Sequence, residues 1–197
     1  MVRLSGAIGT AALVLAAVGL FLATRDGPGI AGYVSESGVA GAPHDVLYQL
    51  SIFLLALAAA GVALALRPVA GWAALAVALA VPCLVLSGAA RCSAGCPLPP
   101  YRDPTLGDLL HAGASIAATG LCALAMLAAA RWATDRPLRT VSRWGAVVSL
   151  PVLFAMAAAL LGLGRGPVTG GLERVSITCC LAWLATVSTL RVVLTRR

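Results

Sequence analysis

The side chains best suited to moving protons in this sequence gather at the thresholds of its apolar runs. In Gly107–Ser115, GDLLHAGAS, Asp108, His111 and Ser115 recur at i, i+3 and i+7, which stacks them on one face of a helix. His111 then sits one turn inside the apolar run, roughly 6 Å down at about 1.5 Å per residue. An imidazole titrates near neutrality, so it can serve as a general base, with Asp108 or Glu36 to orient it. Ser35, Ser115 or a water would be the attacking group on an ester or amide. The stretch GYVSESGVAGAPHDVLYQ carries Ser35, Glu36, His44 and Asp45 to the start of another apolar run, and GGLERVSITCC carries Glu173 to the start of the last. Structural roles are equally open to these groups. Asp45 and Glu173 near helix N-termini are favoured by the helix dipole, and a neutral His111 can bond a neighbouring carbonyl. Three runs that all open with an acid nonetheless point to one shared polar pocket, with Ser35 and Glu36 lying over it.

The elements that must hold these residues are membrane helices. Of 197 residues, 60% are hydrophobic and 11% are charged, more apolar surface than an aqueous fold can hide. Six runs, at about 4–24, 46–66, 69–90, 107–130, 144–163 and 173–194, are each near the ~20 residues needed to cross a bilayer. Backbone groups in lipid must be satisfied within their own segment, so the class is all-α, a single six-helix transmembrane bundle. Pro82 and Pro151 fall inside runs and predict kinks. The first run is too long for a signal-peptide core, and LFLATRDG has no small-residue cleavage motif, so it reads as a retained anchor.

All fourteen basic residues are Arg. With the N-terminus in the cytoplasm, nine of them fall inside and five (Arg25, Arg91, Arg102, Arg165 and Arg174) outside, as the positive-inside rule requires. Both termini are then cytoplasmic and the protein is multi-pass in the cell membrane. That distribution accounts for the net charge of +7 without nucleic acid as a partner. The expected outer connections are 25–45, 91–106 and GRGPVTGG at 164–171, and the first two are long enough to fold over the bundle mouth. Cys92 and Cys96 in the second predict a small disulfide loop, with a metal site as the weaker alternative. Phosphate-loop, dinucleotide and zinc-protease motifs are lacking, so no cofactor or metal is expected.

YVSESG followed by PHDVLYQ resembles the I-S-E-L-G motif of a bacterial and archaeal membrane family catalogued as domain of unknown function 998. LLHAGAS is similar to that family's downstream histidine helix. A more distant similarity links S-x-[ED]-x-G and H-x-x-G/A to the Frag1/DRAM/Sfk1 proteins, some of them tied to lipid remodelling. The resemblance implies a six-span bundle and points to Ser35, Glu36, Gly38 and His111, although Ser37 stands where Leu is usual. Three functions fit the residues. One is an enzyme acting on a membrane lipid or amphipathic small molecule by His/carboxylate acid–base chemistry. The second is a cofactor-free epimerase of a membrane-delivered peptide. The third is a non-catalytic carrier, sensor or accessory subunit.

Overall fold

The computed structural model describes residues 2–194. It is all-helical: α1 (Val2–Arg25), α2 (Asp45–Leu66), α3 (Gly71–Ala89), α4 (Leu106–Trp132), α5 (Arg136–Gly162) and α6 (Pro167–Leu194). Two short 3-10 turns, Gly29–Ala31 and Val34–Gly38, shape the α1–α2 connection. All six long helices have the length and apolar character to cross a membrane, so the chain is a multi-pass membrane protein. Each helix packs on the next in sequence, and α6 packs on α1, which closes the six into a ring. One end of the ring carries the two long connections and the α5–α6 turn; the other carries the start of α1, the end of α6 and the α2–α3 and α4–α5 turns. These are called the loop end and the termini end.

Packing differs between the two halves. Leu66, Met126, Leu138, Val62 and Val187 are fully buried and form a solid core toward the termini end. Small residues let α1 and α2 approach closely there. A Cβ on Gly61 would stand 2.7 Å from the Ser5 carbonyl oxygen and 2.9 Å from Gly9 Cα. Dispersion between closely packed backbones is a main source of helix association in lipid. Arg191 pairs with Asp135 and its Nε donates to the Ala65 carbonyl at 3.1 Å, tying α6 to the α2 and α5 ends. Trp72, Trp132 and Trp144 are exposed at the same end, an arrangement suited to a headgroup belt.

Two of the expected boundaries need correction. The fifth helix starts at Arg136 rather than near 144, and the sixth at Pro167 rather than near 173. Arg136, Arg139 and Arg143 depress the local hydropathy. Yet Leu138 and Ser142 on the opposite face are fully buried, so these turns are amphipathic helix rather than connection. In GRGPVTGG, Gly164 takes a left-handed φ of +66° and its N–H donates to Ala159 O at 3.1 Å, capping α5. Pro167 then opens α6 at a position where a missing N–H costs nothing. The connection therefore shrinks to residues 163–166.

Candidate functional site

The chain between α1 and α2 is pressed against the start of α6, and its sequence explains how. Glu36 accepts from its own Tyr33 N–H at 2.8 Å, closing the second 3-10 turn. The same carboxylate takes a two-pronged ion pair from Arg165, at 2.6 and 2.9 Å. That pairing holds the Arg165 guanidinium above its ordinary pKa, chiefly through the hydrogen bond to Glu36. Arg174 donates to the Gly32 carbonyl at 2.9 Å and the Gly29 carbonyl at 2.6 Å. Glu173 accepts the Val34 N–H at 2.7 Å. The approach is close enough that a Cβ on Gly170 would meet the Ile30 carbonyl oxygen at 2.3 Å. Glu36→Ala should therefore release residues 33–38 from the α5–α6 turn. Hydrogen exchange of those amides should speed by at least about tenfold, the equivalent of about 1.4 kcal/mol of lost docking.

The second long connection is anchored by Asp108. Its carboxylate, 1% exposed, accepts Ser93 N–H at 2.7 Å and Thr105 N–H at 2.7 Å, together with both hydroxyls. Thr105 returns the contact by accepting the Asp108 N–H at 3.2 Å, a reciprocal cap at the start of α4. Cys92 and Cys96 lie at disulfide-bonding distance, with Cα atoms 5.1 Å apart, as their spacing predicted. Ser35 donates to Cys96 Sγ at 3.4 Å, so the two loops meet above the ring.

Beneath them lies a cavity of about 370 Å³. His111 is in its wall and 5% exposed. Its Nδ1 faces two carbonyl oxygens at the end of α3, Ser87 at 2.8 Å and Ala90 at 3.0 Å. Carbonyls only accept, so Nδ1 carries the hydrogen, and in the neutral ring Nε2 keeps the lone pair. Ser87 Oγ and Ser115 Oγ are bonded to each other at 2.8 Å on the same wall. Across from them α6 contributes Glu173 and Ser176, whose hydroxyl is buried without a partner. Tyr48 from α2 and Tyr33 from the loop complete the polar end. Burial, then the charges of Glu173 and Glu36, push the Tyr33 phenol pKa up, so this group stays neutral. Further in, the lining turns apolar, with Leu84, Leu153, Met156, Leu181 and Leu184. From His111 to Cys122 the cavity follows α4 for about 16 Å at about 1.5 Å per residue. Ile116 lines the cavity and is 59% exposed, and Gly120 and Ala157 share both properties. The cavity thus opens sideways between α4 and α5.

Of the side chains singled out in the sequence as candidate acids, bases or nucleophiles, His111, Asp108, Ser115, Ser35 and Glu173 line this cavity. Glu36 and Asp45 are turned elsewhere: Glu36 to Arg165, and Asp45 to Arg91 at 3.2 Å, where it links the starts of α2 and the α3–α4 loop. His44 bonds Asp26 at 3.1 Å at the exposed base of the first loop. Asp108 is engaged with Ser93 and Thr105, and His111 with the α3 carbonyls, so each has its own partners. Glu173 sits in the second turn of α6, not at its first residue. The sequence does not single out Tyr33, which opens YVSESG just ahead of Ser35 and Glu36, or Ser87 in an apolar run, because both reach the cavity only through the folding of loop and ring. Among the described residues, no three His, Cys, Asp or Glu side chains gather into a set that could hold a metal ion.

Six membrane-length helices closed round a cavity that is polar at one end and apolar toward the middle define a multi-pass membrane protein with an internal amphipathic chamber. A family profile matches residues 7–190, and the chain belongs to that family, described as protein of unknown function (DUF998). No curated protein and no solved structure matches the chain. The similarity to Frag1/DRAM/Sfk1 proteins finds no support in these comparisons.

Proposed function

We propose that this is a cell-membrane protein with its loop end outward, and that it takes an amphipathic molecule into the chamber, where His111 acts as a general base on the polar end. The observation that carries this reading is the fixed imidazole: in the wall of a cavity with an apolar continuation, Nδ1 is held by two α3 carbonyls, so Nε2 is the ring nitrogen left to take a proton. Glu173 across the cavity is the carboxylate that would answer it. Ser35 or a water would be the attacking group if the substrate is an ester or amide. The sideways opening supports entry from the membrane, with lipid or a lipid-like small molecule as partner and no role for nucleic acid.

The orientation rests on the sequence count of nine Arg on the inner side against five on the outer, Arg196 and Arg197 among the nine lying outside the described residues. Ala40→Cys should label with an impermeant maleimide in intact cells, and Arg136→Cys only after permeabilisation. The reverse pattern would put the chamber on the cytoplasmic side.

A non-catalytic carrier or sensor is the second reading, and one observation favours it. Asp108, Asp45 and Glu36 are all occupied in fastening loops. His111→Asn separates the two, because its amide can still donate to the α3 carbonyls but cannot accept a proton. The test is mass spectrometry of lipid extracts incubated with the protein in nanodiscs. The acid–base reading expects wild type to convert a component, and the variant to lose about 10²–10⁴-fold in rate with its melting temperature largely kept. Conversion unchanged in the variant would remove His111 from catalysis; binding without conversion in both proteins would favour the carrier.

A further inference from the structure

The chain carries a formal net charge of +7 from fourteen Arg, yet no Arg among the described residues lines the cavity. Three Arg of the loop end are engaged in fastening the loops. Arg91 bonds Asp45 and Gln49, Arg165 bonds Glu36, and Arg174 bonds the Gly29, Gly32 and Gly170 carbonyls. What faces the chamber's polar end is of the opposite character. Glu173 has about four acceptor sites on its carboxylate, and the backbone N–H groups of Val34 and Ser35 take up part of them. His111 offers a lone pair at Nε2, Tyr33 and Tyr48 offer aromatic rings, and Ser176 offers a buried hydroxyl that has no protein partner. Asp108 is also in the wall, but its carboxylate is taken up by Ser93 and Thr105.

An anionic head placed here would meet the Glu173 carboxylate, while Arg174, whose charge reaches Glu173, has its guanidinium turned to the Gly29, Gly32 and Gly170 carbonyls. A cationic head would find a carboxylate, lone-pair acceptors and two phenol rings, the combination that recognises ammonium groups. The volume of about 370 Å³ is at the small end of the 300–1,000 Å³ typical of ligand pockets, which suits one alkyl chain better than two. We propose that the chamber selects amphipaths with a cationic amine head and a single alkyl chain. The head would lie among Glu173, Tyr48 and His111, and the tail would run toward Leu184. This rests on the reading of the cavity as a ligand site, and it specifies that ligand's chemical class.

The test uses the full chain in nanodiscs of a zwitterionic phospholipid, titrated with dodecylamine, dodecanol and dodecyl phosphate. Dodecylamine should bind at least about tenfold tighter than dodecanol, with dodecyl phosphate the weakest. Glu173→Gln keeps an acceptor for Val34 and should cut the amine-over-alcohol preference to under about threefold. Ala118→Phe, which fills the apolar part, should abolish binding of all three; if that variant does not fold, Ile116→Trp at the side opening replaces it. Dodecyl phosphate binding as tightly as the amine would overturn the cationic assignment, as would a preference unmoved by Glu173→Gln. The chamber would stand in both cases, provided the filled variant loses binding. If Glu173→Gln does not fold, the order among the three probes on wild type decides the assignment. Binding that survives in the filled variant would overturn the chamber itself as the ligand site.

Discussion

Asp108→Ala is expected to lower the melting temperature in detergent by about 6–12 °C, whatever it does to activity. The carboxylate is buried and accepts two backbone N–H groups and two hydroxyls, all within 3.1 Å. Leaving buried donors without an acceptor costs about 1–3 kcal/mol each, so about 3 kcal/mol in total is a moderate figure once some water enters. At about 2–4 °C per kcal/mol for a chain of this size, that gives the stated shift. Asp108→Asn should also destabilise, because its amide hydrogens would point at groups that are themselves donors. A variant that melted like wild type and lost only activity would instead make Asp108 the group that orients His111.

That distinction marks what the sequence could and could not convey. Apolar runs near the length of a membrane crossing are legible without a structure, because lipid imposes helix and length together. Arg136, Arg139 and Arg143 hid the first turns of α5, since a hydropathy reading registers their charge and not the buried face of Leu138. Spacing on α4 brought Asp108, His111 and Ser115 to one face correctly, and all three line the cavity. Spacing could not say which partner each would take. Thr105, three residues before Asp108, is a local partner, but the other comes from Ser93, fifteen residues away, and those of His111 come from the end of α3. Glu36 and Asp45 look like site residues for the same reason: an acid beside a hydroxyl or an imidazole reads alike whether it meets a substrate or Arg165 and Arg91. Only the closure of the ring separates the two.

Gly61→Leu should be severely damaging although it lies outside the chamber. Even the first carbon of a side chain would stand 2.7 Å from the Ser5 carbonyl oxygen, and that obstacle is backbone, which cannot swing aside. Relief requires α1 to move off α2 along their crossing. Overpacking costs about 1–3 kcal/mol where side chains can adjust, and more where they cannot. The expected result is loss of the monodisperse peak in size-exclusion chromatography, or a melting temperature at least about 6 °C lower. Normal behaviour of Gly61→Leu would show that α1 is not clamped at this crossing. Because Leu20 of α1 lines the cavity, the chamber's shape depends on that clamp.

The division of labour between the halves follows from the same packing. The termini half is solid, with Val62, Leu66, Ala125 and Met126 filling the ring. The loop half is held open by polar fastenings at its rim: Asp108 to Ser93, Glu36 to Arg165 and Glu173 to Val34. A cavity kept open in this way beside a fixed imidazole is costly in packing unless something is bound there.

The most direct test is an experimental structure of the chain purified in lipid nanodiscs, paired with native mass spectrometry of the same sample. The expected result is one elongated non-protein density with its polar end within hydrogen-bonding reach of His111 Nε2 and its tail passing Leu181 toward Leu184. A matching mass should stay with the protein and be lost in Ala118→Phe. A chamber closed by inward movement of α4 and α6, His111 Nε2 bonded to a protein group, and no retained mass would contradict it.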